Sequence, residues 1–231
     1  MEYSELAANL YKGCDHGCTY CYAPSATFTS REKFMLPKPR PSIINKLMQD
    51  AVKLSEDESI REGQVMLCFT CDPYQPIDEE YQLTRQAIKV LHENSMNVSI
   101  LTKGGNRSER DFDLLGKRDS YGATLTFIDK RLSLEYEPQA SLPEERFAAL
   151  AKAHSLGIST WVSLELIINP VQTMEIIRQT SAYVDMYKMG IWNYDKRAAE
   201  LDYAKFVTKA INLISSLGSK YYIKKDLARY M

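Results

Sequence analysis

The five cysteines of this chain stand at positions 14, 18, 21, 68 and 71, with none from position 72 to the end. An odd number of thiols crowded into two short stretches is no disulfide framework, which would staple distant segments together. It points to a reduced, cytoplasmic setting in which thiols serve a site. Cys14, Cys18 and Cys21 follow one another at spacings of four and three, in a loop that also holds Gly13, Asp15 and Gly17. Three thiolates so spaced can hold three corners of a cubane iron–sulfur cluster, with backbone amides of the turn directed at its sulfurs. The fourth iron then has no protein ligand from this loop, and an open coordination position makes a bound metal reactive, as it does for zinc. The alternative is structural zinc, with Cys68 or Cys71 as the fourth thiolate, although zinc sites favour paired C-x-x-C knuckles.

Other residues invite chemistry less sharply. Tyr20 and Tyr22 flank Cys21 and offer flat apolar surface beside the open position. Cys68 and Cys71 form a C-x-x-C, but in a strand their side chains would point to opposite faces. A redox pair would also want a helix N-terminus, so at least one is read as a small core residue. Glu165 interrupts the apolar stretch 161–168, where a charge is expensive unless paired or wet. It is expected either to line the barrel near a ligand or to pair with Arg146. Lys188 poses the same question, Lys103 sits at a strand end, and His16 reads as a loop polar group.

The elements that must position these groups alternate regularly. Strands are expected at 3–10, 65–70, 98–102, 122–127, 158–168 and 184–189, with a terminal strand at 221–223. Helices are expected from 43, over 79–94, in a short piece begun by Ser108, and over 143–156, 173–183 and 198–217. About six strand–helix units predict a parallel sheet, and six rather than eight predict a partial (β/α)6 TIM-type barrel, open on one side. In such α/β folds the chemistry sits at the C-terminal strand ends, where the cysteine loop, Asp72, Lys103 and Asn169 fall.

Composition agrees. The 231 residues are 45% hydrophobic and 26% charged, which fits one globular domain. Lys and Arg total 29 against 30 Asp and Glu, a net charge of −1, so a strong nonspecific phosphate-binding surface is not expected. No apolar run reaches 18 residues, so no membrane span or membrane partner is expected.

The stretch Asn9-Leu-Tyr-Lys-Gly-Cys-Asp-His-Gly-Cys-Thr-Tyr-Cys-Tyr-Ala23 resembles the cluster-binding segment of radical S-adenosylmethionine (radical SAM) enzymes, and most of all their spore photoproduct lyase-related branch. The resemblance extends to Asp72-Pro-Tyr-Gln-Pro-Ile77, Leu101-Thr-Lys103, Glu137-Pro-Gln-Ala140 with Glu145-Arg146, and Tyr221-Tyr-Ile-Lys-Lys-Asp226. It implies a partial barrel of βα units carrying a 4Fe–4S cluster on Cys14, Cys18 and Cys21. S-adenosylmethionine would chelate the open iron, and its reductive cleavage would yield a 5′-deoxyadenosyl radical that takes a hydrogen atom from substrate. The resemblance places Lys103 against the cofactor carboxylate, Thr126 as a hydroxyl contact, Cys71 where relatives have Ser or Thr, and Tyr20 beside the adenine. Arg146 either pairs with Glu137 or reaches the cofactor carboxylate.

One departure bears on the reaction. The branch's hydrogen-donor cysteine lies two residues before the Ser/Thr position, which here is Phe69. Cys71 would share that strand face by alternation and is the candidate for a displaced catalytic donor. The substrate is then either a nucleic-acid base, for which 15 tyrosines and the basic segment 31–40 give stacking and charge, or a small molecule or peptide. An electron donor such as flavodoxin or ferredoxin is implied. A non-catalytic zinc or iron–sulfur module is the third reading.

Overall fold

The computed structural model describes residues 3–193 and 195–231. The chain runs β1 (Leu6–Ala8), β2 (Tyr11–Lys12), α1 (Ala23–Ala26), α2 (Arg31–Phe34), β3 (Lys38–Pro39), α3 (Ile43–Leu54), α4 (Glu58–Glu62) and β4 (Gln64–Leu67). It continues through α5 (Asp78–Tyr81), α6 (Leu83–Glu93), β5 (Asn97–Thr102), β6 (Ser120–Thr124), α7 (Lys130–Tyr136), α8 (Pro143–Ser155) and β7 (Ser159–Leu164). The last elements are α9 (Pro170–Thr180), β8 (Met186–Met189), α10 (Tyr203–Ser216), β9 (Lys220–Ile223) and α11 (Lys225–Ala228), with 3-10 turns over Gly105–Asp111 and Lys196–Glu200.

Seven strands form one parallel sheet in the order β1-β4-β5-β6-β7-β8-β9, each beside the strand of that sheet that precedes it in the chain. Among the described residues β1 and β9 do not pair with each other, so the barrel is partial and open. The expected architecture is therefore observed. β2 and β3 make a separate antiparallel pair, with Tyr11 opposite Pro39, at the root of the cysteine loop.

Local sequence explains the elements. β5 and β6 are buried almost throughout, as parallel strands covered on both faces must be. α6 and α8 bury Ile88, Leu91, Ala149 and Leu150 against the outer face of the sheet. Asn169 caps α9 by accepting from the amides of Val171 and Gln172, and Pro170 supplies the first helical residue, which needs no donor.

Several expected boundaries move. The strand expected at 65–70 ends at Leu67, because Cys68 takes a left-handed φ of 62° that no strand continues. The helix expected at 79–94 breaks at Gln82, also left-handed. Ser108 starts no helix: it lies inside the 3-10 turn, bonded to Gly105 O at 2.6 Å and to the Tyr121 hydroxyl at 2.7 Å. The strand expected at 158–168 stops at Leu164, and the helix expected from 198 begins at Tyr203 after a 3-10 turn. α7 was not foreseen; Asp129 caps it through the Leu132 amide. No helix among the described residues is long and apolar enough to cross a membrane.

Inside the barrel, Trp161 of β7 lies against Gly122 of β6. Lys188 of β8 stands 4.2 Å over the Trp161 ring and 5.1 Å over that of Tyr3, and the two rings are 5.6 Å apart. A Cβ at Gly122 would fall 2.4 Å from the indole. Gly122→Ala is expected to lower stability by about 1–3 kcal/mol through overpacking, read as a drop in the urea midpoint; an unchanged midpoint would show that Trp161 can swing away freely.

Candidate functional site

Thiols, carboxylates and an ammonium converge at the C-terminal ends of the strands. A cavity of about 460 Å³ opens there, lined on one wall by Cys14, Cys18, Cys21 and Tyr20, with Lys103 beyond β5 and Cys68 to Asp72 beyond β4. The opposite wall carries Tyr3, Ser163, Glu165, Lys224 and Asp226.

The cysteine loop is fastened from three sides. The Cys14 amide donates to Phe34 O at 2.9 Å, and the Thr19 amide to Tyr136 O at 2.8 Å. Arg31 reaches the carbonyls of Gly17, Cys18 and Thr19 at 3.0, 2.5 and 3.3 Å. Gly13 has a φ of 89°, and a Cβ there would sit 2.3 Å from Phe34 O, so only glycine lets the loop pass α2 this closely. Burial pushes the Cys14 thiol up and the Cys18 thiol up to about 11, although Lys103 opposes the latter. A metal taken up by these thiols would therefore have to drive their protons off.

Asp72 joins this loop to the strands. Its Oδ1 accepts from Thr102 Oγ1 at 2.6 Å and the Tyr74 amide at 2.8 Å, and its Oδ2 from the Lys103 amide at 2.7 Å. His16 Nδ1 lies 3.6 Å from the same oxygen. Arg107 can only donate, so His16 Nε2, 3.2 Å away, accepts and Nδ1 carries the proton toward Asp72. Burial lowers the His16 pKa to about 4, so the ring is neutral near pH 7 and the contact with Asp72 is no ion pair. His16 is the polar loop group the sequence suggests, and the structure adds that it is buried: the residue is 2% exposed.

Behind Tyr20 lies a buried charge pair. Arg146 and Glu137 are each 1% exposed, and Arg146 Nη1 stands 2.7 Å from Glu137 Oε2. Arg146 also donates to Ser141 O at 2.8 Å and Thr124 O at 3.0 Å. The Tyr20 hydroxyl donates to Glu137 Oε1 and lies 3.4 Å from Thr126 Oγ1. Burial would raise the Glu137 carboxyl, but Arg146 and then Lys103 outweigh it and hold the carboxyl below its ordinary range. Burial likewise opposes the Lys103 charge, yet Cys18 and Glu137 raise its pKa overall; its Nζ lies 5.5 Å from the Tyr20 ring centroid.

The structure thus brings Cys14, Cys18, Cys21, Tyr20, Cys71, Lys103 and Glu165 to one cavity and sets Thr126 and Arg146 behind it, off its lining. Two sequence readings are corrected. Glu165 pairs not with Arg146 but with Lys224 Nζ and the Tyr3 hydroxyl, both at 2.6 Å, because Arg146 is already held by Glu137. The argument that strand alternation sends Cys68 and Cys71 to opposite faces does not apply: the strand has ended before Cys68, and both residues line the same cavity. Sequence reasoning missed Tyr3, whose hydroxyl bonds Ser163 at 2.9 Å as well as Glu165; no local pattern marks so distant a contact.

The donor set fits an iron–sulfur cluster. Cys14, Cys18 and Cys21 line one cavity, and a cubane spreads its thiolates over separate irons around such a space. The comparisons agree. Residues 8–184 match the radical SAM superfamily, and the chain belongs to that superfamily of enzymes, which use a 4Fe–4S cluster and S-adenosylmethionine. An uncharacterised protein of Methanocaldococcus jannaschii is 28% identical over 199 residues, 82% of this chain and 71% of that protein. One of Mycobacterium tuberculosis is 27% identical over 171 residues, 67% of this chain and 47% of its own length. In fold, the chain is similar to a cysteine-to-serine variant of spore photoproduct lyase, with a TM-score of 0.76 and 14% identity over 96% of this chain and 77% of that one. It is also similar to Streptococcus suis SuiB bound to its precursor peptide SuiA, with a TM-score of 0.69 and 14% identity over 95% of this chain and 48% of that one.

Breaking the buried pair leaves Arg146 uncompensated, so Glu137→Gln is expected to cost about 3–5 kcal/mol at neutral pH. Because the folded carboxyl titrates below its unfolded value, its contribution is complete above the ordinary carboxylate range and lost as pH falls through its own lowered pKa. The gap between variant and wild type, measured by chemical denaturation, should therefore narrow in acid. A gap independent of pH would contradict a charged Glu137.

Proposed function

We propose that this cavity carries out a radical SAM reaction on a nucleic-acid base, with Cys14, Cys18 and Cys21 as the cluster ligands. The observation that carries the reading is the convergence of these thiols, Lys103 and Cys71 on one cavity at the strand ends. When bound, the cluster and S-adenosylmethionine supply a 5′-deoxyadenosyl radical that abstracts a hydrogen atom from substrate.

The chain's own residues bind, orient and enclose. Lys103 is a cation in the cavity wall with three donors, suited to the cofactor carboxylate. Tyr20 gives the adenine a flat neighbour, and its hydroxyl is fixed by Glu137 and Thr126. Thr126 and Arg146 then act as positioning residues rather than direct contacts, since neither lines the cavity. Glu165 anchors the opposite wall through Tyr3 and Lys224. Cys71 faces the cavity with its Sγ 3.6 Å from Tyr11 O, and its S–H is the candidate to return a hydrogen atom. A protein electron donor of the flavodoxin or ferredoxin kind and a cytoplasmic location complete the reading.

A base is favoured by a second cleft of about 510 Å³ that shares Tyr20, Cys21, Tyr22 and Asn193 with the main cavity. Its wall holds Trp192 with the Arg197 guanidinium 4.5 Å over the ring, and Tyr136, which accepts from Arg197 at 3.1 Å. Such aromatic–arginine surfaces stack bases. Spore photoproduct lyase has been seen with a dinucleoside photoproduct. The competing substrate, a peptide or small molecule, is favoured by the net charge of −1, and SuiB was seen with a precursor peptide.

Anaerobic reconstitution is expected to give visible cluster absorbance that Cys18→Ala abolishes, and reductant plus S-adenosylmethionine should release 5′-deoxyadenosine. Release failing with the cluster intact would count against catalysis. Lys103→Ala should weaken cofactor binding about tenfold or more, as loss of a charged hydrogen bond does, with iron content unchanged. Oligonucleotide binding should weaken steeply with added salt; no binding at low salt would favour the peptide or small-molecule reading.

A further inference from the structure

The outer side of the cysteine loop is covered by a stretch whose charge is unlike that of the whole chain. Residues 12–40 hold Lys12, Arg31, Lys33, Lys38 and Arg40 against only Asp15 and Glu32, in a chain whose net charge is −1. Among the described residues none of these five cations forms a salt bridge with a carboxylate. Lys12 and Lys38 stand directly opposite each other in the β2–β3 pair, and both are exposed, as is Lys33. Like charges placed opposite one another repel, so the fold gives up stability to keep them there.

Apolar surface accompanies these charges. Phe28, in the turn between α1 and α2, is 99% exposed at a left-handed φ of 52°, and Leu36, between α2 and β3, is 75% exposed. A bulky side chain is disfavoured in that backbone conformation. Apolar side chains set among unpaired cations suit a transient protein contact, in which charge steers the encounter and apolar atoms seat it.

The stretch is tied to the cysteines themselves. Arg31 donates to Cys18 O at 2.5 Å and the Cys14 amide to Phe34 O at 2.9 Å, so α2 is one hydrogen bond from two of the three thiol-bearing residues. A small cleft joins Arg31, Phe34 and Met35 to Cys14, Cys18 and Cys21. None of the five cations lines the main cavity or the second cleft. The face is therefore badly placed for the phosphates of a base that enters the cavity, and well placed for a partner that acts on the cysteine loop from outside.

Resting on the cluster reading above, we propose that Lys12, Lys33 and Lys38, with Phe28 and Leu36, form the docking face for a small acidic one-electron carrier, a flavodoxin. In the contact one electron leaves the flavin, which passes from anionic hydroquinone to neutral semiquinone, and enters the cluster held by the three cysteines. No bond forms or breaks and no proton moves. Redox encounters of this kind bury less than about 1,200 Å², so no larger interface is needed.

The test uses the cluster-loaded chain and a flavodoxin, without oxygen, with two readouts. Calorimetry measures binding of the oxidised flavodoxin, and stopped-flow absorbance follows semiquinone formation and cluster bleaching by the reduced one. Both are expected to weaken steeply with added salt. Lys33→Glu with Lys38→Glu should slow bleaching about tenfold or more at low salt and flatten its salt dependence, and Phe28→Ser should weaken binding at every salt concentration. Lys205→Glu with Lys209→Glu, on exposed positions of α10, changes the net charge equally and should leave both readouts near wild type. Dithionite, which needs no docking, should bleach the cluster of every variant at the wild-type rate. Equal bleaching by flavodoxin before and after the reversal at positions 33 and 38 would overturn the proposal and leave the cofactor reading intact. So would loss of oligonucleotide binding in that variant with flavodoxin reduction unchanged, which would make the face a nucleic-acid surface. Bleaching slowed as expected, in a chain that releases no 5′-deoxyadenosine, would uphold the docking face and sink the catalytic reading.

Discussion

The Asp72 carboxylate is the constraint on which the site depends. A carboxylate offers about four lone-pair positions, and here they are shared among the end of β5, through Thr102 and Lys103, its own loop, through Tyr74, and the cysteine loop, through His16. A nearly buried carboxylate is costly unless it is hydrogen-bonded, so each donor must be present for the others to be worth ordering. The result is a fixed relation between a loop that has almost no regular structure of its own and two strand ends that are rigid. The thiols of this loop gain more from such external fastening than from local propensity, because a turn-rich loop orders at an entropic cost of about 1–2 kcal/mol per residue.

A second buried polar centre works by a different balance. Glu137 and Arg146 are both out of solvent, and a pair of that kind adds little net stability over apolar packing while being expensive to break. Its value is positional. Arg146 ties α8 to the carbonyls at Thr124 and Ser141, and Glu137 holds the Tyr20 hydroxyl at the edge of the cysteine loop. Lys103, facing the ring of Tyr20, feels both the thiols and Glu137, so charge is carried from the back of the site to the cavity wall without any further ion being buried.

How much of this could be read from the residues follows from what periodicity can encode. The alternation of strands and helices, the open parallel barrel and the three-cysteine loop are local or regularly repeating signals, and all three are observed. That Cys68 and Cys71 both face one cavity was out of reach because the alternation argument holds only while the strand lasts, and the backbone leaves the β region at Cys68. Glu165 was recognised as a charge that needed a partner, but the partners lie 162 residues before it and 59 after it, separations that no window can link. The resemblance gave Thr126 to the cofactor and Arg146 either to the cofactor or to Glu137, and the pair with Glu137 is the one observed; the burial of both residues behind Tyr20 depends on how α7 and α8 return to the sheet. The burial of His16 was not legible because its companions, Asp72 and Arg107, come from other loops.

Those long-range ties to Glu165 also explain how an open barrel keeps a defined mouth. Tyr3 precedes β1 and Lys224 follows β9, so they come from the two unpaired edges of the sheet. Both donate to the same oxygen of Glu165, and the Lys224 ammonium lies 4.8 Å from the centroid of the Tyr3 ring. The edges that do not meet through backbone hydrogen bonds are thereby joined across the interior by side chains, over the layer formed by Trp161 and Lys188. Burial and the nearby Lys224 charge lower the Lys188 pKa, which makes a second cation in this layer costly. Side-chain closure of this kind is weaker and more yielding than a strand ladder, and it can open at the gap between β1 and β9 without unpairing any strand.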